Sequence, residues 1–102
     1  MLAWVLMAVV ACSGTITDIG EAAGAGDGTT ATLTGFLLVE SESIRLCEAL
    51  AESFPPQCAN DRISVIGLEI GDYSLMSAGS VSWTEQPVTI AGRIEDGALL
   101  VD

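Results

Sequence analysis

The chain has 102 residues, fourteen of them Asp or Glu and three Arg, with no Lys and no His, so its net charge is −11. This balance excludes a nucleic-acid binder, because affinity for phosphate backbones comes from cationic side chains that release counterions, and it disfavours adhesion to anionic lipid head groups. The length allows one domain, and the acidic surface reads as a solubilising one, with a basic partner, a metal ion or adaptation to high salt as sharper alternatives.

Residues 1–11 are apolar throughout and carry no charge. The run is about half of the ~20 residues that a helix needs to cross a bilayer. A short apolar core followed by small residues is instead the pattern of a secretory signal. It ends in Val9-Val10-Ala11-Cys12, followed by Ser13-Gly14. This stretch resembles the lipobox of bacterial lipoprotein precursors, in which aliphatic and small residues lead into a cysteine. The resemblance implies that a diacylglyceryl group is attached to the Cys12 thiol and that the peptide is cut just before it, making residues 1–11 a signal peptide. Signal peptides open with Lys or Arg, whereas the first basic residue here is Arg45, so the true start is expected upstream of Met1. The alternative is a buried N-terminal strand or helix with an ordinary core cysteine.

Three cysteines are odd for an exported chain unless one carries lipid. With Cys12 assigned to the anchor, Cys47 and Cys58 remain as a disulfide pair, which an exported compartment permits. Closing so short a loop stabilises a fold by roughly 2–3 kcal/mol. The pair lacks CxxC spacing and a histidine partner, so no zinc site is expected, and no other cofactor either.

Residues 12–29 are glycine, alanine, small polar residues and carboxylates, with too little apolar density to offset the entropy of ordering. Gly24-Ala25-Gly26-Asp27-Gly28 lacks the lysine of a phosphate loop and the spaced carboxylates of a calcium loop. The segment reads as a lipid-anchored flexible tether with an r.m.s. span of roughly 20–25 Å, floating the domain off the membrane.

Residues 30–102 read as a small β domain. The β-branched and aromatic run 30–40 predicts a strand with a bulge at Gly35. Ser41-Glu42 is a turn, and 43–47 returns as the partner strand. Residues 48–53 favour a helical turn, stopped by Pro55-Pro56. The alternation of 63–70 predicts a strand whose phase shifts at Gly67. Residues 71–79 are a loop and 81–83 a short strand. The runs 87–94 and 98–101 flank Glu95-Asp96-Gly97, the strongest hairpin signal in the chain. The expected fold is mainly β: a small curled antiparallel sheet, closed as an OB-like five-stranded barrel with one short helical turn. A sandwich fragment or an open sheet are the alternatives. The element between Leu46 and Cys58, with the strand after it, also resembles uncharacterised exported bacterial proteins, a likeness that implies no activity.

Catalysis is hard to build without histidine or lysine, and no serine sits in Gly-x-Ser-x-Gly. Glu40 and Glu42 would share a strand face if the strand continued, and could then act as an acid–base pair; the plainer reading is a solvated edge. Trp83 and Tyr73 could stack a ligand or pack into the core. Asp61, Glu69, Asp72 and Glu85 carry the oxygen ligands that hard cations take, but without ligand spacing, so no metal site is expected. Arg45 is expected to pair with Glu40 or Glu42 across the hairpin.

The expected function is a lipid-anchored, non-catalytic binding or interaction module at the bacterial cell envelope. Its expected partners are the membrane, through Cys12, and an envelope protein. The alternatives are a structural envelope component that docks by strand addition and a carboxylate-dependent hydrolase.

Overall fold

A computed structural model describes residues 15–101. The apolar segment 1–11, the lipobox and Cys12 lie outside the described residues. Among the described residues, seven strands follow one short helix, α1 (Ile19–Ala23): β1 (Thr30–Glu40), β2 (Ser43–Leu50), β3 (Cys58–Ile66), β4 (Met76–Ala78), β5 (Val81–Trp83), β6 (Val88–Glu95) and β7 (Ala98–Val101), with a 3-10 turn at Ile70–Asp72.

Five of these strands close into an OB-like barrel. β1 pairs antiparallel with β2, and β2 with β3. β3 joins β7 in parallel through Val65↔Leu99 and Ile66↔Leu100. β7 pairs back onto β6, and β6 onto the first half of β1. β1 is thus used twice: Thr30–Gly35 faces β6, and Phe36–Glu40 faces β2. The second half also carries β5 on its other edge, with β4 beyond it as the end of the sheet.

Gly35 sits where β1 changes partner. The register runs on without a slip, and residues 31, 33, 35, 37 and 39 keep one buried phase. The expected bulge at Gly35 does not form. A Cβ there would stand 2.5 Å from the Cys47 carbonyl oxygen and 3.0 Å from Ile19 Cδ1, so the barrel wall closes only over a bare backbone. The slip that does occur lies between β2 and β3, where Cys47↔Arg62 is followed by Ala49↔Ala59. The extra residue is on β3, next to Asn60 at φ 63°.

The barrel is filled by Ala31, Leu33, Leu37, Leu46, Ile63, Val65, Ile90, Ile94 and Leu99. Each comes from an inward position of a period-2 strand. The hairpin at Asp96-Gly97 forms as its sequence demands, with both residues at positive φ, 51° and 76°.

Residues 15–29 correct the tether expectation. Ile16 bridges Ala31 in parallel; its amide donates to the Thr30 carbonyl at 3.0 Å and its carbonyl accepts from Thr32 at 2.9 Å. Asp18 caps α1 by accepting from the Glu21 amide at 2.9 Å. The helix then buries Ile19 and Ala22 in the barrel core. Five residues cannot hold a helix in water alone; burying the Ile19 side chain, of the order of 1.5–3 kcal/mol, supplies the driving force. The glycine-rich stretch after it is also fastened, by Gly28 N to Ile94 O at 2.7 Å and Asp96 N to Asp27 Oδ1 at 2.8 Å.

Two further expectations shift. The helical turn expected over 48–53 is absent: β2 stays extended to Leu50, held by Ala49↔Ala59 and Leu50↔Cys58. The helical elements lie instead at α1 and at Ile70–Asp72. Gly67, at φ 84°, ends β3 rather than bulging inside it.

Candidate functional site

Outside the barrel, the face formed by β1, β2, β3 and β5 carries a second layer. Registers Leu38↔Arg45, Leu38↔Trp83, Arg45↔Ser64 and Cys47↔Arg62 place these side chains on one face, opposite the barrel interior. Leu38, Cys47 and Trp83 form its buried centre, with Leu50, Cys58, Ala78 and Val81 packed around them. Cys47 and Cys58 are joined as a disulfide, with Cα atoms 5.2 Å apart. The bond fixes the 51–57 loop at its base, and Phe54, 81% exposed, meets Trp83 edge to face at 6.0 Å.

Beside this layer lies a polar cleft of about 190 Å³. The Leu38 and Val81 side chains contribute its apolar wall, Pro55 and Pro56 its rim, and Glu40, Arg45 and Arg62 its charges. A shallower depression of about 360 Å³ adjoins it, lined by Ser41, Ser43 and Ser64 together with the same Glu40 and Arg45. The Glu40–Arg45 ion pair, Nη2 to Oε1 at 3.0 Å, therefore stands as the partition between the two. Arg45 Nε is buried and has no hydrogen-bond partner among the described residues. Arg62 donates through Nη2 to the carbonyls of Asn60 at 3.2 Å and Cys58 at 3.5 Å.

The expected site residues fare unequally. Arg45 pairs across the hairpin as expected, with Glu40. Glu40 and Glu42 do not form a dyad: Glu40 ends β1, whereas Glu42 is the second residue of the turn after Ser41 at φ 58°. Glu40 lines both clefts and Glu42 neither. Trp83 is 7% exposed and packs in the second layer with Leu38 and Cys47. Tyr73 does face a cleft, an apolar one of about 290 Å³ between Leu75, Met76 and Val88. Asp61, Glu69, Asp72 and Glu85 are not brought together, and no cluster of metal-ligating side chains occurs among the described residues. Also among the described residues, no helix is long and apolar enough to cross a membrane.

Sequence reasoning missed Arg62 as a site residue. The alternation Arg62-Ile63-Ser64-Val65 puts Arg62 opposite the buried Ile63 and Val65, so its side of the sheet was legible; its place diagonal to Arg45 depends on pairing with β2. Comparison of the chain with family models, with curated proteins and with solved structures returns no match.

Proposed function

We propose that this protein is a non-catalytic binding module held at the outer face of a bacterial cell membrane, or in the periplasm, by a lipid on Cys12. The binding half of the reading is carried by the cleft between β1, β2, β3 and the 51–57 loop, a concave polar site with an apolar wall on a rigid sheet. The absence of histidine and lysine supports a role without catalysis. The location rests on Val9-Val10-Ala11-Cys12, and the Cys47–Cys58 disulfide is compatible with export.

The packing of residues 15–29 changes how such an anchor would hold the domain. Two residues, Ser13 and Gly14, separate Cys12 from Thr15. At ~3.3–3.6 Å per residue, a lipidated Cys12 reaches no further than about 14 Å from Ile16. The barrel then rests against the head groups instead of floating above them, and the acyl chains must outweigh the repulsion between its charge and anionic lipid.

Intact mass tests this. The chain would be expressed in a bacterial host with a Lys-bearing start placed before Met1, recovered from the membrane fraction, and alkylated with and without reductant. The expected species begins at Cys12, carries at least a diacylglyceryl group, and exposes Cys47 and Cys58 to alkylation only after reduction. An unprocessed chain with three free thiols would overturn the reading, as would a turnover abolished by removing one carboxylate.

A second reading is a structural component that docks by strand addition. It is favoured by β4, whose outer edge ends the sheet and whose Met76 is 47% exposed. Crosslinking in cells separates the two, since the structural role requires a fixed stoichiometric partner.

A further inference from the structure

We propose that the cleft beside β2 and β3 is a carboxylate-binding site, in which Arg62 and Arg45 together hold the acid group of a small monocarboxylate. The proposal rests on the binding-module reading and adds the class of ligand.

Charge placement is the first argument. The chain has fourteen carboxylates and three arginines, yet two of the three arginines line one cleft. Ion pairs among the described residues join Arg45 to Glu40 and Arg93 to Glu95. Arg62 takes part in neither; its Nη2 contacts are backbone carbonyls, which orient the guanidinium without neutralising it. In so acidic a molecule, an arginine held by carbonyls and left without a carboxylate marks a place where an external anion fits.

Geometry is the second. Arg45 lies opposite Ser64 and Arg62 opposite Cys47, so the two arginines are diagonal cross-strand neighbours on one face. Diagonal neighbours stand roughly 7–8 Å apart, with Cβ atoms somewhat closer, and both arginines line the same cleft. Arg45 gives a single Nη to Glu40, from the side, leaving the rest of its planar fork uncommitted. Charge-assisted bonds from two guanidiniums to one carboxylate are the strong form of this contact.

The walls limit what else the ligand carries. At about 190 Å³ the cleft is smaller than the ~300–1,000 Å³ of drug-sized sites, so only a short body accompanies the acid. Leu38 and Val81 accept an apolar side, while Gln57 suits a hydroxyl or amide substituent. The net charge of −11 opposes polyanions at long range, which selects a singly charged acid. A short hydroxy acid and the C-terminus of a peptide share this chemistry.

The test follows the arginine Nε–H resonances of the isotope-labelled full chain in detergent. It is titrated with lactate, with lactate methyl ester, and with a tripeptide bearing either a free or an amidated C-terminus. Saturable shifts at Arg45 and Arg62 with lactate or the free tripeptide, and none with the ester or amide, are expected; which acid binds tighter identifies the source. Arg62→Gln should weaken binding about tenfold, and Arg62→Lys should restore it only in part, because an ammonium lacks the planar fork. Glu40→Gln should tighten binding several-fold by removing the internal competitor for Arg45, a gain that a merely solvated arginine face would not produce. Equal shifts with acid and ester, equal saturation by sulfate, or no response at either arginine would overturn the proposal. Such a result would leave the binding-module reading to the apolar cleft at Tyr73, and the anchor to its mass measurement.

Discussion

Leu37 and Thr84 exchange two hydrogen bonds: the Leu37 amide donates to Thr84 Oγ1 at 3.0 Å, and the Thr84 amide donates to the Leu37 carbonyl at 3.1 Å. Thr84 is 3% exposed, and the bond to its hydroxyl satisfies an amide that β1 presents just where β5 runs out. Thr84→Val keeps the shape and removes the acceptor, orphaning a buried N–H. A loss of about 1–3 kcal/mol is expected in urea unfolding followed by circular dichroism, and an unchanged midpoint would show that water reaches the Leu37 amide.

Ile19 makes a second prediction, because α1 has no stability of its own. Ile19→Ala removes a side chain from the barrel core, at an expected cost of about 2–4 kcal/mol. The amides of Ala22 and Gly28 should lose hydrogen-exchange protection with it. A neutral effect would return residues 15–29 to the status of a tether.

The disulfide ties two residues 11 apart in sequence and sits in the second layer with Leu38 and Trp83. Replacing both cysteines, Cys47→Ala with Cys58→Ala, should lower stability by roughly 2–3 kcal/mol. The loss should appear equally in the unmodified protein under reductant. Trp83 emission should move to the red in both cases, since the loop carrying Phe54 is no longer fixed over the ring.

At Gly35 the expected penalty is steric. Gly35→Ala places a methyl group against the Cys47 carbonyl, so β1 or β2 must move. Overpacking of this kind costs typically about 1–3 kcal/mol. Gly71 has open space around its Cα and serves as the control: Gly71→Ala should leave the urea midpoint unchanged.

What the sequence disclosed, and what it withheld, follows the range of the forces involved. Asp96-Gly97 was legible because its turn chemistry is local, and both residues take the positive φ that such a pair permits. The inward residues of the first half of β1, of β3 from Arg62 onward and of β6 were legible from alternation. The fate of 48–50 was not: Glu48-Ala49-Leu50 has local helical preference, but pairing of Ala49 and Leu50 with β3 overrides it. For α1 a signal existed in Asp18-Ile19-Gly20-Glu21, an N-cap with Glu at the third helical position, hidden by the small residues around it. The burial of Trp83 depends on the disulfide-tied layer, and the placing of Arg45 and Arg62 along one cleft depends on the β2–β3 register. Neither can be read from neighbours in sequence.

The way the barrel closes also sets when the molecule can form. Its last stave is β7, joined to β3 through Val65 and Ile66, and the loop behind α1 is fastened to Ile94 and Asp96. A growing chain that has not yet delivered Leu99 and Leu100 has an open seam and no firm seat for its own N-terminal helix. Contacts this distant in sequence form slowly and late. The barrel should therefore stay unclosed until β7 emerges and close in one step once it does.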